Sequence, residues 1–123
     1  MYEFSFEKLI VWQKAKDIVL LIYEVTADFP DSEKFSMISQ MRRSAISIPS
    51  NLAEGSSRET AKDKLRYLQL SHGSLMELYN HCLIAADLHY LSQIDLERIR
   101  SLVHEVANIM NRLRKSYSNK DGI

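Results

Sequence analysis

The chain predicts an all-α fold: an antiparallel, up-down-up-down four-helix bundle. Three observations carry that expectation. Apolar residues recur at steps of three and four along four separate stretches, the spacing of one helix face. No stretch of useful length alternates apolar and polar residues as a half-buried strand would. The intervals between stretches are only about 3–6 residues, which makes consecutive helices antiparallel neighbours. The length of 123 residues fits one domain spanning 1–123. With three glycines and two prolines, long regular elements are favoured over loops.

The first helix is predicted over about 6–28. Ala15, Ile18, Ile22, Val25 and Phe29 form its stripe, and Phe29-Pro30 stops it. Ser5 is placed as N-cap, with Phe4 and Leu9 at the positions of a hydrophobic staple. The second helix is predicted over about 33–54, capped by Asp31 or Ser32. Ile38, Met41, Ala45, Ile48 and Leu52 step along it, and Gly55 stands where a left-handed terminal residue is expected.

Pro49 lies inside this second stretch. A proline there removes one backbone hydrogen bond and crowds the preceding turn, at about 3 kcal/mol. Either the helix ends near Ile48 and a new one begins, or it continues with a kink. The apolar period passes through Pro49 without a phase slip, so a kinked helix is expected. Ser47, Ser50 and Asn51 are placed to solvate the freed Ala45 carbonyl.

The third helix, about 60–89, opens with Thr60 and Asp63 as a capping box. It carries Leu65, Leu68, His72, Leu75, Tyr79, Cys82 and Ala86 on one stripe. The fourth, about 93–117, opens with Ser92 and Asp95. It carries Leu96, Ile99, Val103, Val106, Met110, Leu113 and Tyr117. The closing SNKDGI reads as frayed.

The helices hold more apolar surface than one bundle needs. At 100° per residue, Ile10, Leu20 and Leu21 fall away from the core face of the first helix, among Asp17, Glu24 and Asp28. Opposite Leu68, Leu75 and Cys82 lie Leu70, Gly73, Ile84 and Leu88. A helix glycine costs about 1 kcal/mol relative to alanine, so Gly73-Ser74 beside large apolar residues reads as a close helix approach. Scattered surface leucines are the plain alternative. A second buried face, an interface between copies of the chain, is the expectation adopted.

Composition limits the chemistry. Hydrophobic residues make up 46%, which sets aside the disordered and fibrous classes, and the formal net charge is zero. The single cysteine, Cys82, excludes an internal disulfide and reads as a small core hydrophobe. The acidic start, MYEFSFEKLIVW, is unlike a signal peptide, and the longest apolar run is too short to span a bilayer. A cytoplasmic location is expected, with no membrane partner.

No P-loop, GxGxxG or GxSxG occurs. The histidines lack HxxxH and Glu-x-x-His spacing, so no metal, no cofactor, no small-molecule substrate and no catalytic residue is assigned. Glu77 and His81 read as a surface pair, and His72 as a hydrogen-bonded core residue. Trp12 and the tyrosines read as core or interface aromatics. The basic residues remain. Arg43, Arg58, Lys62, Arg66, Arg112 and Lys115 are the candidate phosphate contacts, set against the plain reading of a solvated face paired with acids. Arg42 flanks the core stripe and is expected to pair with a carboxylate such as Glu54 or Glu77.

Phe6, Leu9, Trp12 and Ala15, then Phe29-Pro30, then QMRRSAISIPSNLAEG with Arg58, then Gly73-Ser74 and Glu77 carry a resemblance. Over nearly its whole length the chain resembles the bacterial four-helix-bundle proteins encoded in 23S rRNA intervening sequences. It departs from them at Ser36, Met41 and His72, where glycine, leucine and a small residue are more usual. That family resembles the accessory protein of diversity-generating retroelements, which is basic and binds nucleic acid. The resemblance implies a homopentamer, with RNA or an RNA-protein complex as partner. A protein-binding scaffold without nucleic-acid affinity is the alternative. Read physically, the RR…AEG stretch is mostly architecture: a helix with a proline, a cap and a charge pair.

Overall fold

In a computed structural model, which describes residues 1–121, the chain forms four α-helices and no strand among those residues. They are α1 (Ile10–Thr26), α2 (Met37–Ser56), α3 (Ala61–Asp87) and α4 (Gln93–Asp121). Short 3₁₀ turns at Ser5–Lys8 and Asp31–Glu33 precede α1 and α2.

Thr60 and Ser92 cap α3 and α4 where the sequence places them, although only the N-cap half of each expected capping box forms. Thr60 Oγ1 accepts from the Asp63 N–H at 3.0 Å, and Ser92 Oγ from the Asp95 N–H at 3.1 Å. Each satisfies one backbone donor that a helix start leaves unpaired. The starts of the first two helices differ from expectation. Ser5 does not cap α1. It begins a 3₁₀ turn in which the Phe4 N–H donates to the Glu7 carboxylate at 2.8 Å. Phe4 is exposed and packs edge-on against Tyr2 rather than stapling to Leu9. Neither Asp31 nor Ser32 caps α2. Both belong to a separate turn, and α2 begins at Met37 after Ser36.

Three C-termini are also redrawn. Gly55 lies inside α2, which runs on to Ser56, and its backbone is not left-handed. An added Cβ there would sit 2.8 Å from Tyr67 Cβ, so this glycine lets α2 and α3 approach closely. The left-handed residue is instead His89, at φ 65°, just past α3. The His89 N–H reaches Ala86 O at 3.0 Å and the Tyr90 N–H reaches Ala85 O at 2.9 Å, the paired bonds of a Schellman motif. Histidine tolerates this region better than most residues with a Cβ. α4 continues into the stretch expected to fray, as far as Asp121, and Gly122 and Ile123 lie outside the described residues.

α2 passes through Pro49 unbroken, so the reading in which it ends near Ile48 is set aside. No side chain among the described residues bonds the Ala45 carbonyl. Asn51 Nδ2 donates to Ser47 O at 2.9 Å, and Ser71 Oγ to Ile48 O at 2.7 Å. The polar side chains near Pro49 thus serve its neighbours.

The core draws on all four stripes. Ile18, Ile22, Met41, Ile48, Leu75, Leu78, Ile99 and Met110 are essentially removed from water. Burying each such side chain contributes roughly 1.5–3 kcal/mol. Cys82 lies among them, and burial pushes its thiol pKa up to about 12. Leu21, expected on an outer face, is only 8% exposed, whereas its neighbour Leu20 is 61% exposed. Leu21 sits at the edge of the α1 stripe, where Leu102 of α4 lies beside it. His72, expected in the core, is exposed.

Cross-helix contacts fix which ends lie together. Along α2 and α3, Ser47 meets Ser74 and Arg58 meets Tyr67. Along α1 and α4, Lys14 meets Glu105 and Glu24 meets Arg98. Along α3 and α4, Tyr79 meets Arg100, while Leu68 and Met110 line one groove. The N-terminal parts of α1 and α3 therefore share one end of the molecule with the C-terminal parts of α2 and α4.

Candidate nucleic-acid interface

The charge of the chain sums to zero but is sorted along the bundle. Residues 1–18, 47–74 and 107–119, which make up the end just described, carry 10 basic and 6 acidic side chains. Residues 19–46 and 75–106, the opposite end, carry 5 basic and 9 acidic. Five of the six candidate phosphate contacts lie at the basic end: Arg58, Lys62, Arg66, Arg112 and Lys115. Arg43 stands apart, exposed on α2 toward the other end.

Two of those five have work inside the chain. Tyr67, on the first turns of α3, is 8% exposed and held between two guanidiniums. Arg58 lies 4.7 Å and Arg66 4.5 Å from its ring centroid, on the scale of cation-π attraction. Arg58 also donates to the Tyr67 hydroxyl at 2.6 Å and to Glu54 at 3.2 Å, with Asp63 at 3.9 Å. Arg66 bonds Asp63 at 3.3 Å. Lys64 Nζ donates to Ser56 O at 3.1 Å across the same junction. The AEG-S-S-R stretch is therefore the hinge of the α2–α3 hairpin: Gly55 admits Tyr67, and Glu54 and Arg58 lock it. Arg58 belongs to this structural cluster rather than to a free surface. Lys62, Arg112 and Lys115 are exposed and make no ion pair among the described residues.

Arg42 corrects another expectation. It bonds neither Glu54 nor Glu77. Its Nε donates to Thr26 Oγ1 at 3.0 Å, and its guanidinium lies 4.4 Å from the Tyr23 ring centroid. It ties α2 to the end of α1. Trp12 is half-buried, edge-on to Phe6 at 5.2 Å with Lys16 over its ring. Glu77 lies 3.8 Å from His81, whose Nε2 is enclosed without a hydrogen bond.

Of the residues expected at an interface between copies, Ile10, Leu20, Leu70, Ile84 and Leu88 are exposed on this chain, and nothing lies within 4 Å of a Cβ placed on Gly73. Ser74 differs. Its hydroxyl is 2.8 Å from that of Ser47, inside the α2–α3 seam. Ile94, at 77% exposure, and Phe35, at 88%, are further apolar surface that periodicity misses, because each stands outside a stripe.

Two grooves flank α3 at the basic end. A shallow one is lined by Thr60, Lys62, Asp63, Leu65, Arg66 and Gln69, with Asp63 held by Arg66 at 3.3 Å. A deeper one of about 250 Å³ runs between α3 and α4. Gln69 lines both. A wide depression of about 690 Å³ between α1 and α4 is a poor phosphate site. Asp17, Glu24 and Glu97 line it, and its one cation, Arg98, already bonds Glu24 at 3.0 Å. Among the described residues no group of three His, Cys, Asp or Glu is placed to hold a metal ion, and no helix is long and apolar enough to cross a membrane.

Residues 7–112 match the family described as 23S rRNA-intervening sequence protein. No curated protein matches the sequence. Among solved structures, a protein of unknown function from the S23 ribosomal protein family of Bacteroides thetaiotaomicron superposes with a TM-score of 0.77 at 19% identity. The alignment covers 86% of this chain and 99% of that one, so the two share a fold.

Proposed function

The chain belongs to the 23S rRNA-intervening sequence protein family, and from that premise we propose that it is a non-enzymatic, homo-oligomeric interaction protein that engages RNA, or an RNA-protein complex, through the basic end of its bundle. One observation carries the reading: a chain of zero net charge sorts 10 basic against 6 acidic groups onto one end. Lys62, Arg112 and Lys115 are exposed there and make no ion pair among the described residues. Phosphate contact by such cations is sequence-independent and is weakened by salt through counterion release. Assembly multiplies it, since each copy repeats the patch around a symmetry axis.

The oligomer is supported by exposed Leu70, Ile84 and Leu88 with open space over Gly73 on α3, and by Ile10 and Leu20 on α1. Such residues are the usual material of an interface between copies. A pentamer is the form the family resemblance favours.

A salt series with structured RNA tests the reading. Affinity is expected to fall steeply with salt, and Lys62→Ala and Lys115→Ala are each expected to flatten the log–log slope by roughly one. Absence of binding at low salt would leave a protein-binding scaffold. Light scattering is expected to give a mass near five times that of the 14.3 kDa chain. A stable monomer would overturn the assembly.

A further inference from the structure

The α3–α4 groove has chemistry that phosphate attraction alone does not use. Its floor is apolar: Leu68 and Met110 are almost fully buried, and Ala107 leaves a gap between them. Its rim is polar and carries no acid. Arg114 reaches over it, with its guanidinium steadied by Asn111 Oδ1 at 2.8 Å. His72 and Gln69 face it from α3, exposed and without a hydrogen bond or ion pair among the described residues. The groove thus combines an apolar floor, two groups able to meet an anion, and the Gln69 amide, which both donates and accepts.

We propose that this groove is a subsite for one nucleoside monophosphate unit, its base lying on Leu68, Ala107 and Met110 and its phosphate meeting Arg114 and His72. A purely aliphatic acid would leave the Gln69 amide and the Asn111 amino group idle, Asn111 Oδ1 being taken by Arg114. A base edge, with donors and acceptors side by side, uses them. A volume of about 250 Å³, below the ~300–1,000 Å³ of drug-sized sites, leaves no room for a stacked run of bases. Duplex bases are not free to enter such a slot, so the groove selects an unpaired nucleotide. The inference rests on the reading of the basic end as the RNA-facing end. Because Gln69 lines both grooves, a strand held at Lys62 and Arg66 continues into this one. The same chemistry serves a free mononucleotide and an unpaired residue of RNA.

The test is a titration of the full-length protein with adenosine 5′-monophosphate, followed through the methyl resonances of Met110 and Ala107. Both are expected to shift, with adenosine and ribose 5-phosphate binding at least tenfold more weakly, since each lacks one half of the ligand. Arg114→Gln removes the anion contact, and Ala107→Leu fills the bed without touching the polar rim. Each is expected to weaken binding at least fivefold, with helicity and thermal midpoint showing that the fold is kept. No methyl shift, or inorganic phosphate competing as well as the nucleotide, would overturn the inference. A single-stranded oligonucleotide that shifts the same methyls at lower concentration identifies RNA as the source; methyl shifts with the mononucleotide alone identify the free nucleotide. RNA binding that survives without any mononucleotide binding removes the groove and spares the basic-end reading. Mononucleotide binding without RNA binding does the reverse.

Discussion

The seam between α2 and α3 and the seam between α1 and α4 are closed by different means. Small residues and hydroxyls close the first. Gly55 faces Tyr67 with no room for a methyl group, Ser47 meets Ser74 at 2.8 Å, and Ser71 bonds the Ile48 carbonyl at 2.7 Å. Ion pairs at the water boundary span the second: Lys14 with Glu105 at 2.7 Å, and Arg98 with Glu24 at 3.0 Å. Beside those pairs lies the wide α1–α4 depression with Leu20 and Ile94 at its rim. Close packing and buried hydrogen bonds hold their strength away from water, whereas exposed charge pairs lose most of theirs to solvent. Stability should therefore be concentrated in the α2–α3 hairpin, which is also where the RR…AEG stretch lies.

Gly55→Ala tests this most strongly. The added methyl meets Tyr67 Cβ, an atom fixed to its own helix, so the helices must part. Overpacking of this kind costs about 1–3 kcal/mol or more, and the better helix propensity of alanine returns up to about 1 kcal/mol. A net loss of about 1–2 kcal/mol is expected in urea unfolding. Gly73→Ala has open space within one chain and, measured at concentrations below assembly, should keep the propensity gain. Equal behaviour of the two glycines would break the comparison.

Cys82 reports from α3 on the core beneath the seam. Its folded pKa stands near 12, above the ordinary 9.0, because burial opposes the thiolate. Above about pH 9 the unfolded chain loses this proton and the native chain keeps it. Stability should therefore fall with rising pH between those values, approaching about 1.4 kcal/mol per pH unit. Cys82→Ala should flatten that slope. At pH 8, alkylation should be slow and should quicken in the Gly55→Ala variant.

Ser71→Ala gives a smaller effect. It removes one buried hydroxyl bond to Ile48 O, one residue before Pro49. A loss of about 1 kcal/mol is expected by the same unfolding measurement. No change would mean that the hydroxyls of this seam are passengers of the packing.

The stripes and the caps of the last two helices were legible because they depend on neighbours three or four places away, whereas Ser5, Asp31 and Ser32 join separate 3₁₀ turns and do not cap. Thr60 and Ser92 cap as expected, and Met41, Ala45, Ile48 and Leu52 all turn inward. What was not legible depends on a second helix. Leu21 and His72 sit at stripe edges, and the neighbouring helix decides which edge is covered. Gly55 reads as a terminus because only the position of Tyr67 reveals the close approach. Arg42 reads as half of an ion pair, yet Thr26 and Tyr23 lie nearer. In the candidate site, the basic residues were visible singly. Their gathering at one end, and the groove that Gln69, Asn111 and Arg114 form, appear only once the helices are paired.

The smallest effect is expected at the α1–α4 seam, and it bears on assembly more than on stability. Lys14 and Glu105 are each about a third to a half exposed in this chain, so their attraction is screened. Lys14→Ala should cost at most about 0.5 kcal/mol, and a double-mutant cycle with Glu105→Ala should return a coupling of the same size. A coupling several times larger would mean that the pair is shielded from water in solution. The α1–α4 face carries Leu20 and Ile94, so the shield would be another copy of the chain. Repeating the cycle at protein concentrations above and below dissociation separates the cases: a coupling that rises with concentration places this face inside the oligomer, and a small constant one leaves it facing solvent.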